Sequence, residues 1–371
     1  MLGVERVVVG RHQWVRGRKG GARTVAFEVG RQRILVDNPK TLPDTPIAMT
    51  TTAPLPPLKS LSYATASPGP RLIVTGAVHG NEVCGTQAIR RIAEELDRGE
   101  RVLQRGHLTL VPVCNPMAYA LQRRHGDRNL NRALGPTDSP REYEDQLANW
   151  LCPLLASHDV LLDLHSFQGG GQAFVMVGPR NNDGPVEPFG QAEAEEALVR
   201  CLGVQRAVDG WLGTYADGVA RRRQLAGESA AASLDLDPRY GVGTTEYMRS
   251  QGGWALTLEC GQHQDPQAPE VAYRAIRNTL AQLGLTDEPR PPVVPAIEAL
   301  SLHQVVDKHH AEDRFAREWR SFDAVRTGDL IGTRQDGEAL HAEGDGWIVF
   351  PNARAQARQE WFYLARRSQR F

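Results

Sequence analysis

The strongest constraint on this chain is a set of short, continuously apolar runs separated by helical patterns. The runs are Leu72 to Gly76, Leu108 to Val113, Val160 to Leu164, Phe174 to Val177 and Trp254 to Leu258. A strand with one wet face alternates apolar and polar residues, whereas a strand apolar throughout is covered on both faces. After the first run, Ile89, Ile92, Ala93 and Leu96 share one helical face, and further helices are predicted near 142–156, 190–202 and 269–283. Strands spaced by helices in this way predict an α/β domain over 71–288, its central sheet covered by helices on both faces.

The flanks read differently. Thr24–Val29 and Gln32–Val36 alternate around Gly30-Arg31 and predict a β-hairpin, followed by a connector to residue 70 rich in Pro, Thr and Ser. Pro289 to Pro295 is a second linker. Beyond it, Gly-punctuated segments at Thr327–Gly332, Gly344–Phe350 and Trp361–Ala365 predict a small β domain over 296–371.

Composition excludes several partners. The 371 residues can bury a large core, and Lys+Arg 43 against Asp+Glu 44 leaves a net charge of -1, so no attraction to nucleic acid or to a membrane is expected. The cluster Arg6, Arg11, Arg16, Arg18, Lys19 and Arg23 reads as a solvated face rather than a binding arm. Cys84, Cys114, Cys152, Cys201 and Cys260 are scattered without a Cys-x-x-Cys pair, which argues for reduced thiols. No apolar run reaches the ~18 residues of a membrane span, and the amino end lacks a signal-peptide pattern. A cytoplasmic protein is expected, and a homo-oligomer is compatible with this composition.

The apolar runs lead into chemistry. His79-Gly-Asn-Glu82 follows the first run, and His165 follows the third. Two imidazoles and a carboxylate are the set that holds zinc in hydrolases and leaves a fourth position open for water. One Zn2+ per chain is therefore expected on His79, Glu82 and His165. Glu259 ends the Leu256-Thr-Leu-Glu segment and is the candidate base that takes a proton from water and passes it to the leaving amine. Arg124, Asn131 and Arg132 lie in a polar loop after Asn115-Pro116. Beside a metal site, arginines there point to anion recognition or oxyanion stabilisation.

These motifs together resemble the succinylglutamate desuccinylase and aspartoacylase family, a branch of the zinc carboxypeptidase superfamily, over about 70 to 371. The resemblance implies a zinc carboxypeptidase-like mixed sheet and a C-terminal β domain that narrows access to the site. Gly76 to Gly85 looks like the family's first zinc motif, and Asp163-Leu-His165 like its third-ligand motif. By the same resemblance Arg124 polarises the carbonyl, Asn131 and Arg132 hold the substrate carboxylate, and Glu259 is the general base. Arg249, matched by spacing before Glu259, would be a further substrate contact. One departure stands out. The family reads Asp-Leu-Asn-Arg where this chain has Asn129-Leu-Asn131-Arg132, and Asn129 adds no negative charge behind the zinc histidine, with Asp127 the nearest substitute.

The reading that follows is a zinc-dependent deacylase of N-acylated amino acids or related small carboxylates. Two alternatives stay open: a metallocarboxypeptidase or amidase acting on peptides, and a non-catalytic zinc or ligand-binding relative.

Overall fold

The structure, a computed structural model, describes residues 57–226 and 237–371 together with the backbone of four strands nearer the amino end. The chain divides into two compact units, Met1–Pro54 and Leu55–Phe371. In the first, β1 (Glu5–Val9), β2 (His12–Lys19), β3 (Ala22–Val29) and β4 (Gln32–Val36) form an antiparallel sheet in chain order. The expected hairpin is β3 against β4, with Val25 opposite Val36. The basic side chains between Arg6 and Arg23, and the connector as far as residue 56, lie outside the described residues.

The second unit begins with β5 (Leu61–Ala64), β6 (Arg71–Gly76), α1 (Cys84–Asp97), β7 (His107–Val111), α2 (Pro116–Leu121), α3 (Tyr143–Ala156) and β8 (Val160–Phe167). It continues with β9 (Phe174–Val177), α4 (Ala192–Leu202), β10 (Arg206–Asp209), α5 (Trp211–Ala226), α6 (Thr244–Ser250), β11 (Trp254–Gln262) and α7 (Ala268–Gln282). The last part holds β12 (Glu298–Asp307), β13 (Arg314–Phe315), β14 (Ala324–Val325), β15 (Leu330–Thr333), β16 (Ala339–His341), β17 (Gly346–Val349) and β18 (Glu360–Arg367).

Eleven strands form the central sheet in the order β14-β17-β18-β12-β10-β9-β11-β8-β6-β7-β5. The segment β7-β6-β8-β11 is parallel, β9 runs against β11, and β12 pairs antiparallel with β18, so the sheet is mixed. Alternate residues of each strand serve opposite faces. Leu72 and Val74 of β6 join Ile89 and Ile92 of α1, Val199 of α4 and Ile276 of α7 in one core. Ile73 between them joins Leu147, Leu151 and Leu155 of α3 and Met248 of α6 in the other. Helices therefore cover both faces, which is why Leu72, Ile73 and Val74 are apolar at successive positions.

A small C-terminal sheet, β13-β15-β16, is present, while β12, β18, β17 and β14 extend the central sheet. Helix α5 is invisible to periodicity because Gly213 and Gly218 interrupt it and arginines fill 221–223. Packing explains Gly218: a Cβ there would lie 2.4 Å from Cγ1 of Val305 on β12. No helix among the described residues is long and apolar enough to cross a membrane.

Leu151 is fully buried between α3 and the sheet. Leu151→Ala should lower the unfolding free energy by about 2–5 kcal/mol, read from denaturant titration. A loss below about 1 kcal/mol would mean that α3 does not close this face of the core.

Candidate active site

After β6 the chain turns at Ala77, which holds a left-handed φ of 47°, and swings His79 to Glu82 toward the start of α1. Gly80 is what lets this loop pass α2, since a Cβ there would lie 2.0 Å from the carbonyl carbon of Ala118. His165 and Glu259 come from the neighbouring parallel strands β8 and β11, directly opposite one another in register. Loop, strand and strand thus deliver their side chains to one point near the carboxyl ends of the parallel segment.

The three expected ligands meet there. His79 Nδ1 lies 3.2 Å from His165 Nδ1, Glu82 Oε1 lies 3.0 Å from His79 Nδ1, and Glu82 Oε2 lies 2.8 Å from His165 Nδ1. These spacings are close to the edge of about 3.3 Å that a tetrahedron with ~2.0–2.1 Å metal bonds requires. The outer nitrogens show which atoms are available. His79 Nε2 is 3.0 Å from Asn129 Oδ1, and that oxygen also accepts the Asn131 backbone N–H at 2.9 Å, so its identity as an acceptor is set. His165 Nε2 is 2.8 Å from Asp163 Oδ2, which also accepts the hydroxyl of Thr244, while Thr75 donates to Asp163 Oδ1 at 2.6 Å. Both outer nitrogens therefore carry protons, and the inner Nδ1 atoms face each other and a carboxylate.

Electrostatics favour a cation at this point. Burial, reinforced by the charge of Arg124, pushes His79 down to about 4, so its Nδ1 presents a lone pair. Burial opposes the charged form of His165 as well, but Asp163 and Glu82 outweigh it and hold its pKa well above the ordinary value. Positive charge is therefore favoured at this point, and a metal ion on the three side chains would supply it. His79, Glu82 and His165 are the cluster of His, Cys, Asp or Glu able to hold a metal ion among the described residues. Two imidazoles and one carboxylate, each backed by a hydrogen bond, fit that group.

Glu259 stands beside this cluster with its Oε2 buried and without a hydrogen-bond partner. Burial, then the nearby Glu82 carboxylate, pushes it up to about 8. A cation on the three ligands would oppose the second effect and lower that value.

All eight sequence-predicted residues line one cleft of 620 Å³. Arg124 donates to Glu82 Oε1 at 2.9 Å while its side chain stays 48% exposed, so the guanidinium sits beside the three candidate ligands and faces the opening. Arg132 donates to the Asn131 carbonyl at 2.8 Å and lies 5.0 Å over the Trp211 ring. Asn131 Oδ1 accepts the backbone N–H of Thr244 at 2.9 Å and so tethers its loop to α6. Arg249 is placed differently from the substrate contact expected of it. Its buried guanidinium is held by Glu195 at 2.8 Å, Glu187 at 2.9 Å and the Ala255 carbonyl at 2.8 Å. The C-terminal segment adds Phe350, Asn352, Glu360 and Tyr363 to the cleft wall.

Several contributors were not assigned from sequence. Asp163 braces His165, and the spacing of two along a strand, which puts both on one face, was the available signal. Glu144 carries no such signal. Its buried carboxylate accepts Asn115 Nδ2 at 2.8 Å and the backbone N–H groups of Gly126, Asp127 and Arg128 at 2.8, 3.1 and 3.1 Å, pinning the loop that bears Arg124 to Arg132. Asp127 does not stand in for Asn129, because its Oδ2 accepts the Tyr143 N–H at the start of α3.

Residues 68–206 match the Succinylglutamate desuccinylase/Aspartoacylase catalytic domain. Among curated relatives, the N-acyl-aromatic-L-amino acid amidohydrolase (carboxylate-forming) of Rattus norvegicus is 40% identical over 109 residues, 26% of this chain and 33% of that one. The N-alpha-acetyl-L-2,4-diaminobutyric acid deacetylase of Halomonas elongata is 26% identical over 223 residues, 59% of this chain and 56% of that one. The chain thus spans between a third and just over half the length of these relatives. A succinylglutamate desuccinylase/aspartoacylase from Rhodobacter sphaeroides shares the fold, with a TM-score of 0.60 at 18% identity over 82% of this chain and 87% of that one.

The loop bracing gives a test. Glu144→Gln turns an acceptor into a donor facing backbone N–H groups, and should cost about 1–3 kcal/mol of stability. By loosening Asn129 behind His79 it should also weaken metal retention roughly 10–100-fold in competition with a chelator. Unchanged metal retention would show that the loop is held by other contacts.

Proposed function

Through residues 68–206 the chain belongs to the succinylglutamate desuccinylase/aspartoacylase family, and from that premise we propose that it is a zinc-dependent hydrolase of N-acyl amino acids. The observation that carries this reading is the meeting of His79, Glu82 and His165 beside a buried, unpartnered Glu259 carboxylate oxygen in a cleft that also holds Arg132. The relatives named above are amidohydrolases and deacetylases of N-acyl amino acids, which supports the same class of reaction.

His79, Glu82 and His165 would hold the metal. A zinc ion there supplies Lewis acidity that polarises the scissile carbonyl and acidifies water. Glu259 takes the proton from the attacking water and returns it to the leaving amine nitrogen, and burial keeps the carboxyl basic enough to accept it. Arg124 faces the developing negative charge on the carbonyl oxygen from beside Glu82. Arg132 anchors the substrate carboxylate. No ion pair holds its guanidinium among the described residues, in contrast to Arg249, and the Trp211 ring fixes its plane for a bidentate contact.

Metal analysis of protein purified without added metal should show about one zinc per chain, with little retained by His165→Ala. A full complement in that variant would overturn the ligand assignment. Glu259→Gln should keep the metal and lose about 10²–10⁴ in rate, whereas turnover within a few-fold of the parent would remove Glu259 from the mechanism.

The carboxylate anchor is tested separately. An N-acyl amino acid should exceed its carboxamide roughly ten- to hundredfold in kcat/KM, because hydrogen bonds to charged groups contribute about 1.5–3 kcal/mol. Arg132→Ala should erase that difference. Equal rates on acid and amide in the parent enzyme would rule out the anchor.

A further inference from the structure

The cleft has two ends that meet at the metal ligands. From His79 the contacts run through Asn129 to Arg132, whose charged and aromatic neighbours are Glu360, Tyr363, Tyr215, Tyr240 and Trp211. The other end starts from the residues adjoining Glu82 and His165. Asn81 and Ser166 both reach His263, which lies just beyond Glu259 on the same stretch of chain. Ser166 Oγ is 2.8 Å from His263 Nδ1, Asn81 Nδ2 is 3.5 Å from His263 Nε2, and the His263 backbone N–H donates to the Phe167 carbonyl at 3.0 Å. All three side chains line the cleft, and Asn81 Oδ1 is buried with no partner.

We propose that Asn81, Ser166 and His263 form the acyl end of the cleft and select an acyl group carrying an uncharged hydrogen-bonding substituent, such as a hydroxyl or a carboxamide. The assignment of ends rests on the deacylase reading: with the amino-acid carboxylate on Arg132 and the scissile amide at the metal ligands, the acyl group extends toward this trio.

The trio cannot satisfy itself. With His263 Nδ1 donating to Ser166 Oγ and Nε2 accepting from Asn81 Nδ2, the Ser166 hydroxyl proton and Asn81 Oδ1 are both left over. In the other tautomer Ser166 donates to Nδ1 and a turned Asn81 amide accepts from Nε2, and the amide N–H groups are left over instead. Either way an uncharged polar group waits for a partner. An alkyl acyl group would strip water from it and return no hydrogen bond, a loss that discriminates strongly. A dicarboxylic acyl group would bring its distal charge toward Glu82, while the two positive groups acting on His263 among the described residues, Arg124 and His165, are both already paired with Glu82.

The N-glycolyl and N-propionyl derivatives of one amino acid differ only by a hydroxyl in place of a methyl, and the N-succinyl derivative adds a carboxylate. The parent enzyme should prefer glycolyl over propionyl by about tenfold or more in kcat/KM, and over succinyl as well. Ser166→Ala and His263→Gln should each bring the glycolyl-to-propionyl ratio toward one. Calorimetric binding of the same pair to Glu259→Gln reads the preference without turnover. Equal or better use of propionyl or succinyl overturns the proposal, as does a ratio that survives both substitutions. Hydrolysis of all three at similar rates overturns the acyl preference alone, whereas hydrolysis of none overturns the deacylase reading and this inference with it.

Discussion

The parallel pairing of β6, β8 and β11 is the constraint on which the site depends. Hydrogen-bonded neighbours in a sheet stand ~4.7–4.9 Å apart, so register alone decides which side chains can touch. Here it sets Glu259 opposite His165 and Thr75 opposite Asp163. Asp163 lies two residues behind His165 on the same face, where it can hold the outer ring nitrogen. A slip of one residue in β8 would turn His165 into a hydrophobic core and Leu164 toward Glu82. The apolar residues that alternate with these polar ones, Leu162 and Leu164 on one side and Leu161 on the other, make such a slip costly.

Buried charge is handled in two ways in this molecule. Around Arg249, the carboxylates of Glu195 and Glu187 and the Ala255 carbonyl saturate the guanidinium, and the result is a brace between α4, α6 and β11. So many acids around one cation leave an excess, and burial pushes Glu187 up to about 7. Around Glu82 the balance is left open. Asp163, Glu82 and Glu259 are buried together, and Arg124 meets only part of that charge. A buried network without its full complement of positive charge binds a cation readily, because removing the ion leaves uncompensated carboxylates in a low dielectric. The same contrast separates Arg132, a guanidinium stacked on Trp211 with capacity to spare, from Arg249.

The segment between α2 and α3 joins these parts. It leaves α2 through Gln122 in a left-handed conformation with φ of 53° and returns through Ala133 with φ of 45°. Neither residue is a glycine, so the bends are maintained by the contacts around them. Glu144 supplies much of that hold from beneath, and Asn131 ties the far end to α6. A polar loop becomes a rigid wall by having its backbone donors satisfied from a helix, which is how Asn129 and Arg132 keep fixed positions beside His79, Glu82 and His165.

The amino-acid sequence by itself determined the layered α/β core and pointed to the grouping of His79, Glu82 and His165. Continuously apolar strands such as Leu72–Val74 can only be buried on both faces, and His79-Gly-Asn-Glu82 brings its own two donors within a turn of each other. It also carried Glu259, because an acid at the end of an apolar strand has few other reasons to be there. Tertiary structure decided what depends on distant partners. It sent Arg249 into a brace with Glu195, joined β12 and β18 to the central sheet, made α5 a helix despite its glycines, and set Glu144 under the loop that bears Arg124 to Arg132. It also brought Asn81, Ser166 and His263 together from separate segments. The physical reason is common to all of these. Periodicity and spacing report which face a residue occupies, but a charged or polar side chain acts through whichever partner the fold places opposite it, and that partner is set by register and packing over long separations.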